Sequence, residues 1–192
     1  MLRRKITKQL VNWKNHSKKA LLVTGARQIG KSYAIREFGT AEYACYFEVN
    51  LLLDKTAREA LIGAENAMDF INRVALLSDR PLVESKTLIF IDEIQDYPEI
   101  VTLMKALTED GRYSFVFSGS MLGTEFKGIS SFPVGYIEQL VMRPMDFEEF
   151  CWAIGVSGEA LESVRRCCQD ETPVEAYIHE ALMANFRTYI VS

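Results

Sequence analysis

No stretch of the 192-residue chain is apolar for the roughly 20 residues that a membrane-spanning helix needs. The apolar run around Leu21 is too short even for the core of a signal peptide. Cysteine is scarce. Cys45, Cys151, Cys167 and Cys168 form no C-x-x-C pair, and none has a histidine at metal-ligand spacing. A chain without a secretory signal keeps such thiols reduced, so the expected location is the cytoplasm. Histidine is rarer still, and the isolated His16 and His179 read as surface or packing residues. The five prolines serve as punctuation: Pro81 and Pro144 end elements, Pro98 and Pro173 suit first helical turns, and Pro133 suits a loop. There is no internal repeat and no low-complexity segment.

Acidic residues are missing from one end. Residues 1–36 hold ten Lys/Arg and no Asp/Glu, while the remainder holds twelve Lys/Arg against 26 Asp/Glu, for a net charge of −4. A basic front end suits nucleic acid or another acidic partner, or a solvated helix face beside a phosphate site. No interleaving of aromatic and basic residues suggests a base-stacking surface. The same basic, acid-free start faintly resembles a transit peptide, but a phosphate-binding motif lies inside it, so it is not expected to be cleaved.

That motif is Gly25-Ala26-Arg27-Gln28-Ile29-Gly30-Lys31-Ser32, the G-x-x-x-x-G-K-S pattern of Walker A. The apolar run Ala20–Val23 precedes it as a buried parallel strand, and a helix over Ser32–Phe38, stopped by Gly39, follows it. Glycines let the backbone turn its N–H groups toward an anion, and the helix N-terminus adds partial positive charge. Lys31 can reach β- and γ-phosphates, and the Ser32 hydroxyl can ligate Mg²⁺. The expected nucleotide-binding set is therefore Gly25 through Ser32, with Tyr33 just beyond.

A second stretch tests the first. Leu88-Ile89-Phe90-Ile91 ends in Asp92 and Glu93, the Walker B pattern. It reads as a strand buried on both faces, with its carboxylates at the end where open α/β sheets place ligands. Asp92 is expected to hold Mg²⁺ directly or through water, and Glu93 to orient and deprotonate an attacking water. The Asp-Glu pair favours hydrolysis over phosphate transfer to a small acceptor. Further on, Tyr113–Ser120 is an apolar strand that turns polar. In additional-strand P-loop ATPases such a strand lies between Walker A and Walker B, and its last polar residue senses the γ-phosphate. Ser118 is the candidate, with Ser120 second.

The remaining pattern alternates strand and helix. An amphipathic helix spans residues 3–16 through Ile6, Leu10 and Trp13. Tyr43–Val49 suits a strand, an outer one because of Glu48. Helices follow over Asp54–Ile62 and Asn66–Leu77. Asp96 is expected to cap a helix from Pro98 to about Leu107, ended by Gly111. Residues 121–135 read as a surface loop and Tyr136–Met142 as a fifth strand. Beyond Pro144 the chain becomes helical: a capping-box start at Asp146–Glu149, a helix over Glu159–Cys168, and a last one capped at Thr172. The expected architecture is α/β, a five-stranded, mostly parallel sheet flanked by helices. Residues 1–145 form the core and 146–192 a helical lid-like segment.

Taken in order, G-A-R-Q-I-G-K-S, L-I-F-I-D-E-I-Q, F-S-G-S-M-L-G, S-F-P-V-G-Y-I-E and P-M-D-F-E-E-F resemble a prokaryotic family of AAA+-superfamily ATPases. These carry an N-terminal AAA domain and a C-terminal domain of unknown function. The resemblance runs from about Lys5 to Phe150 and implies ATP and Mg²⁺ as cofactors, with hydrolysis and a poorly defined cellular role. Lys31, Ser32, Asp92 and Glu93 carry over; Arg143 is only weakly comparable to a sensor or finger arginine. Family members run longer, so this sequence reads as truncated, with weak turnover. Its last helix, bearing Ile178, Leu182 and Tyr189, is expected to associate with a second copy or a protein partner. A nucleotide-gated binding module and a nucleic-acid-linked ATPase remain alternatives; no membrane partner is expected.

Overall fold

Apolar side chains on both sides of the strands decide the architecture. The computed structural model describes residues 2–97, 99–120 and 135–191. Its strands are β1 (Ala20–Gly25), β2 (Cys45–Asn50), β3 (Thr87–Asp92), β4 (Ser114–Ser120) and β5 (Ile137–Val141). All pair in parallel, in the order β2-β3-β4-β1-β5. The sheet is thus wholly rather than mostly parallel, β4 lies between β1 and β3, and Glu48 sits on an edge strand. Every residue of β1 and β3 is buried, which is why these strands read as unbroken apolar runs.

Successive residues of a strand face opposite sides. Leu22, Ile89, Ile91, Phe115 and Phe117 pack on one face against α3 (Lys55–Ile62), α4 (Ala67–Leu77) and α5 (Ile100–Asp110). Leu21, Val23, Leu88, Phe90 and Val116 pack on the other against α1 (Ile6–His16) and α2 (Lys31–Glu42). Each fully buried Leu, Ile or Phe contributes on the order of 1.5–3 kcal/mol. Among the described residues no helix is long and apolar enough to cross a membrane.

Several helix ends follow their side chains. Asp54 caps α3 by accepting from the Ala57 N–H, and Asn66 caps α4 by accepting from the Asp69 N–H. Each cap contributes about 1 kcal/mol. Gly111, left-handed at φ 68°, ends α5.

Other expectations need correction. α1 begins at Ile6, not residue 3. Gly39 does not stop the P-loop helix, which runs to Glu42. A Cβ there would lie 2.3 Å from the Tyr46 ring, so this glycine serves the close approach of helix to strand. Asp96 does not cap α5, whose N-cap is Glu99; it closes a short 3-10 turn, Ile94–Asp96, and α5 starts at Ile100. Pro98 and most of the expected loop, residues 121–134, lie outside the described residues.

The chain divides into two compact units, Ile6–Arg143 and a second joining Met1–Lys5 to Pro144–Ser192. The second holds α6 (Phe147–Ala153), α7 (Gly158–Gln169) and α8 (Ala176–Tyr189). Asp146 and Glu149 form the expected capping box. The N-terminal residues reinforce it: the Lys5 ammonium lies 2.6 Å from Asp146 and 2.8 Å from Glu148, and Arg4 lies 3.3 Å from Glu149, both side chains buried. Phe147 meets Phe186 edge-on at 5.2 Å and Tyr189 at 5.6 Å, and the Tyr189 hydroxyl donates to the Met145 carbonyl. α8 begins after Glu175, so Thr172 does not cap it. Tyr177, Met183, Phe186, Ile190 and Val191 are exposed.

One backbone position fixes the mouth of the site. Gly25 ends β1 at φ 152°, and a Cβ there would lie 2.2 Å from the Met142 carbonyl oxygen. Neither conformation nor space admits a side chain. Gly25→Ala is expected to cost roughly 2–4 kcal/mol, in the upper range for single substitutions. A urea titration shifted by under 0.5 kcal/mol would contradict it.

Candidate functional site

The C-terminal ends of four parallel strands converge at one edge of the sheet. Asn50 pairs with Asp92 across β2 and β3, Ser118 pairs with Val23 across β4 and β1, and Ser120 pairs with Gly25. Polar residues follow buried apolar ones at this edge because the strands leave the core here.

The loop between β1 and α2 is shaped by left-handed residues. Gly30 has φ 89° and Gln28 φ 62°. The second is a non-glycine in a costly region, a strain of about 1–3 kcal/mol that tends to mark functional loops. Lys31 is buried and folds back on its own loop, donating to the Ala26 carbonyl at 2.7 Å and the Gly25 carbonyl at 3.2 Å. Burial pushes its ammonium below the usual lysine range, the carboxylates of Glu93 and Asp92 pull it back up, and Arg27 adds to the lowering. An arriving polyanion would restore the solvation this cation has lost. Arg27 and Gln28 are exposed, as is Tyr33, while Ala26, Ile29 and Ser32 are half-buried.

Asp92 is the hub. It is 1% exposed. Its Oδ2 accepts from the Ser32 hydroxyl at 2.6 Å and the Asn50 amide at 3.0 Å; its Oδ1 accepts from the Glu93 N–H at 3.0 Å and from the Ser118 hydroxyl. Four donors converge on its two oxygens. The structure therefore brings together Ser32, Asp92 and Ser118, which the sequence singled out from three separate motifs. Ser120 has no hydrogen bond to Asp92.

Glu93 follows in a left-handed conformation, φ 58° and ψ 49°. Its half-buried carboxylate accepts from the Gln95 side-chain amide. Arg143 closes the same unit just after β5.

Sequence reasoning missed two residues. Asn50 donates to Asp92 and also accepts from the N–H groups of Leu52 and Leu53 at 3.0 and 2.9 Å, fixing the turn after β2. The signal was present: like Ser118, it is a polar residue ending an apolar strand. Gln95 was noticed only as part of a motif, and its contact with Glu93 depends on the 3-10 turn, which no periodicity announces.

The donor set fits a hard divalent cation. Ser32 and Asp92 offer oxygens side by side, the ligand type Mg²⁺ takes. Among the described residues no group of three or more His, Cys, Asp or Glu could hold a metal. A cation here would complete its shell with phosphate oxygens and water, as Mg²⁺ commonly does in such sites.

Known proteins place this geometry in context. No curated protein is a significant match. Among solved structures, a Walker-type ATPase of Pyrococcus abyssi aligns at TM-score 0.50 and 15% identity, over 95% of this chain and 63% of that one. The Drosophila ORC bound to DNA aligns at TM-score 0.53 and 12% identity, over 87% of this chain and 48% of that one. The chain thus spans less than two thirds of either structure, and at these identities the likeness is one of fold. A family model described as "AAA domain" matches residues 17–151, from the residues before β1 to α6. That match spans more than half of the sequence and includes the glycine-rich loop, Asp92, Glu93 and Ser118; the chain belongs to the AAA-domain family of P-loop ATPases.

Proposed function

We propose that this chain binds ATP on the Gly25–Ser32 loop and hydrolyses it, with Glu93 as general base, to drive a conformational change or the remodelling of a partner. The observation that carries the reading is the convergence of Ser32, Ser118 and Asn50 on the buried Asp92. A fully satisfied buried carboxylate is preorganised, and preorganised charge at the γ-phosphate is the main resource of phosphoryl-transfer enzymes. Lys31 exchanges the Gly25 and Ala26 carbonyls for β- and γ-phosphate oxygens. Ser32 and Asp92 would hold Mg²⁺, which neutralises phosphate charge when bound. Ser118 holds Asp92 in register with the phosphate end. Glu93 takes a proton from water as its oxygen attacks the γ-phosphorus, and the bond to the β-phosphate oxygen breaks to leave ADP and inorganic phosphate. Residues 1–145 act as the core and 146–192 as an appended helical segment.

A nucleic-acid-linked role has weaker support. Of the ten cations in the basic front end, Arg4, Lys5, Lys14 and Arg36 are paired with Glu149, Asp146 and Glu148, Glu42 and Glu48, and Lys31 is buried in the loop. Pairing leaves less charge for phosphate neutralisation than the sequence count suggests.

The direct test is the wild-type chain with Mg-ATP. Expected are a nucleotide-dependent rise in melting temperature and steady phosphate release. No thermal shift at millimolar Mg-ATP would sink the reading. Binding without release would reduce it to a nucleotide-gated switch.

A further inference from the structure

Glu93, the base of the proposed reaction, has one hydrogen-bond partner for its carboxylate among the described residues, the side-chain amide of Gln95. That glutamine has no visible structural duty. Its Oε1 is buried and has no hydrogen-bond partner among the described residues, whereas a glutamine that braces a fold uses both ends of its amide. The amide N–H must face the carboxylate, because a carbonyl oxygen there would repel it. The backbone sets up the contact. The left-handed Glu93 and the 3-10 turn Ile94–Asp96, closed by the Asp96 N–H donating to the Glu93 carbonyl at 3.1 Å, bring residues two apart face to face. In a helix, such residues would not face each other.

We propose that Gln95 is a positioning residue, holding the Glu93 carboxylate in the orientation from which it meets the attacking water. This rests on Glu93 being the base. Glu93 sits at the end of β3 on a turn, where no other hydrogen bond among the described residues holds its carboxylate. A single charge-assisted hydrogen bond is enough to select one orientation of it. Orientation matters because a misplacement of about 1 Å costs on the order of 100-fold in rate. Nucleotide binding is not expected to use this contact, since the side-chain hydrogen bonds of Lys31, Ser32 and Asp92 involve neither the Glu93 carboxylate nor the Gln95 amide.

The test compares the wild-type chain, Gln95→Ala, Gln95→Glu and Glu93→Gln. Gln95→Ala is expected to lower kcat for ATP by about 10- to 100-fold with KM and melting temperature unchanged. Gln95→Glu keeps the shape but sets a second carboxylate against Glu93. It should lower kcat at least as far as Gln95→Ala, while thermal stabilisation by Mg-ATP is kept. A glutamine that only braced the fold would lower the melting temperature instead. An unchanged or raised kcat in Gln95→Ala overturns the proposal, as does a loss of nucleotide affinity equal to the loss of rate. If Glu93→Gln leaves turnover intact, the assignment of the base has failed instead. A second readout needs no turnover. The Gln95 side-chain NH₂ resonances should move when Glu93→Gln is introduced, and insensitive resonances would likewise overturn the contact.

Discussion

Replacing Lys31 with alanine is expected to remove the stabilisation that Mg-ATP is proposed to give the folded chain. A ligand at about 100 times its Kd adds roughly 2.7 kcal/mol to a protein that binds it only when folded. Lys31 is the buried cation of the loop, and its present partners are two carbonyls of that loop. Without nucleotide the substitution should be mild, because it also removes the cost of burying the ammonium. With nucleotide, the phosphates would lose the buried cation of the loop. The expected outcome is a wild type whose melting temperature climbs with Mg-ATP and a Lys31→Ala protein whose melting temperature stays flat. Equal climbs would mean that phosphate binds elsewhere, and the loop assignment would fall.

The second large effect is on turnover alone. Glu93→Gln keeps the volume and the left-handed backbone but loses the base. Hydrolysis should drop by about 10²–10⁴, the usual weight of a general base, while thermal stabilisation by Mg-ATP persists, because Lys31, Ser32 and Asp92 are untouched. Phosphate release measured beside a melting curve separates the two. Undiminished release would remove Glu93 from catalysis; lost stabilisation would mark it as a binding residue. The pair of substitutions thus divides the site into a part that holds and a part that reacts.

The sheet was legible in the sequence because its strands are short apolar runs that end in polar residues. Buried on both faces, β1, β3 and β4 carry nothing that competes with that signal. Walker A and Walker B also fixed which strand ends meet, since a P-loop and an acidic strand end serve a common ligand only at one edge. What was hidden depends on long-range packing. Gly39 looks like a stop until Tyr46 is seen against it. Thr172 and Asp96 look like caps, but α8 and α5 start later, and no local propensity decides a boundary by itself. Asn50 bonds a residue 42 positions away, and one sequence alone shows no such pairing. Gln95 needed a turn whose geometry rests on a left-handed glutamate, a conformation that residue type does not advertise.

The clasp formed by Arg4 and Lys5 on Asp146, Glu148 and Glu149 has a consequence for synthesis on the ribosome. Arg4 and Lys5 are translated well before the carboxylates they pair with. Everything the sheet needs has been made once Val141 emerges, so that unit can close while its neighbour still lacks α6 to α8. At the ~5–20 residues per second of translation, Asp146, Glu148 and Glu149 follow Val141 within about two seconds, and α8 takes some seconds more. Through the first interval Arg4 and Lys5 lie ahead of a finished P-loop domain, open to chaperones and proteases until those carboxylates arrive.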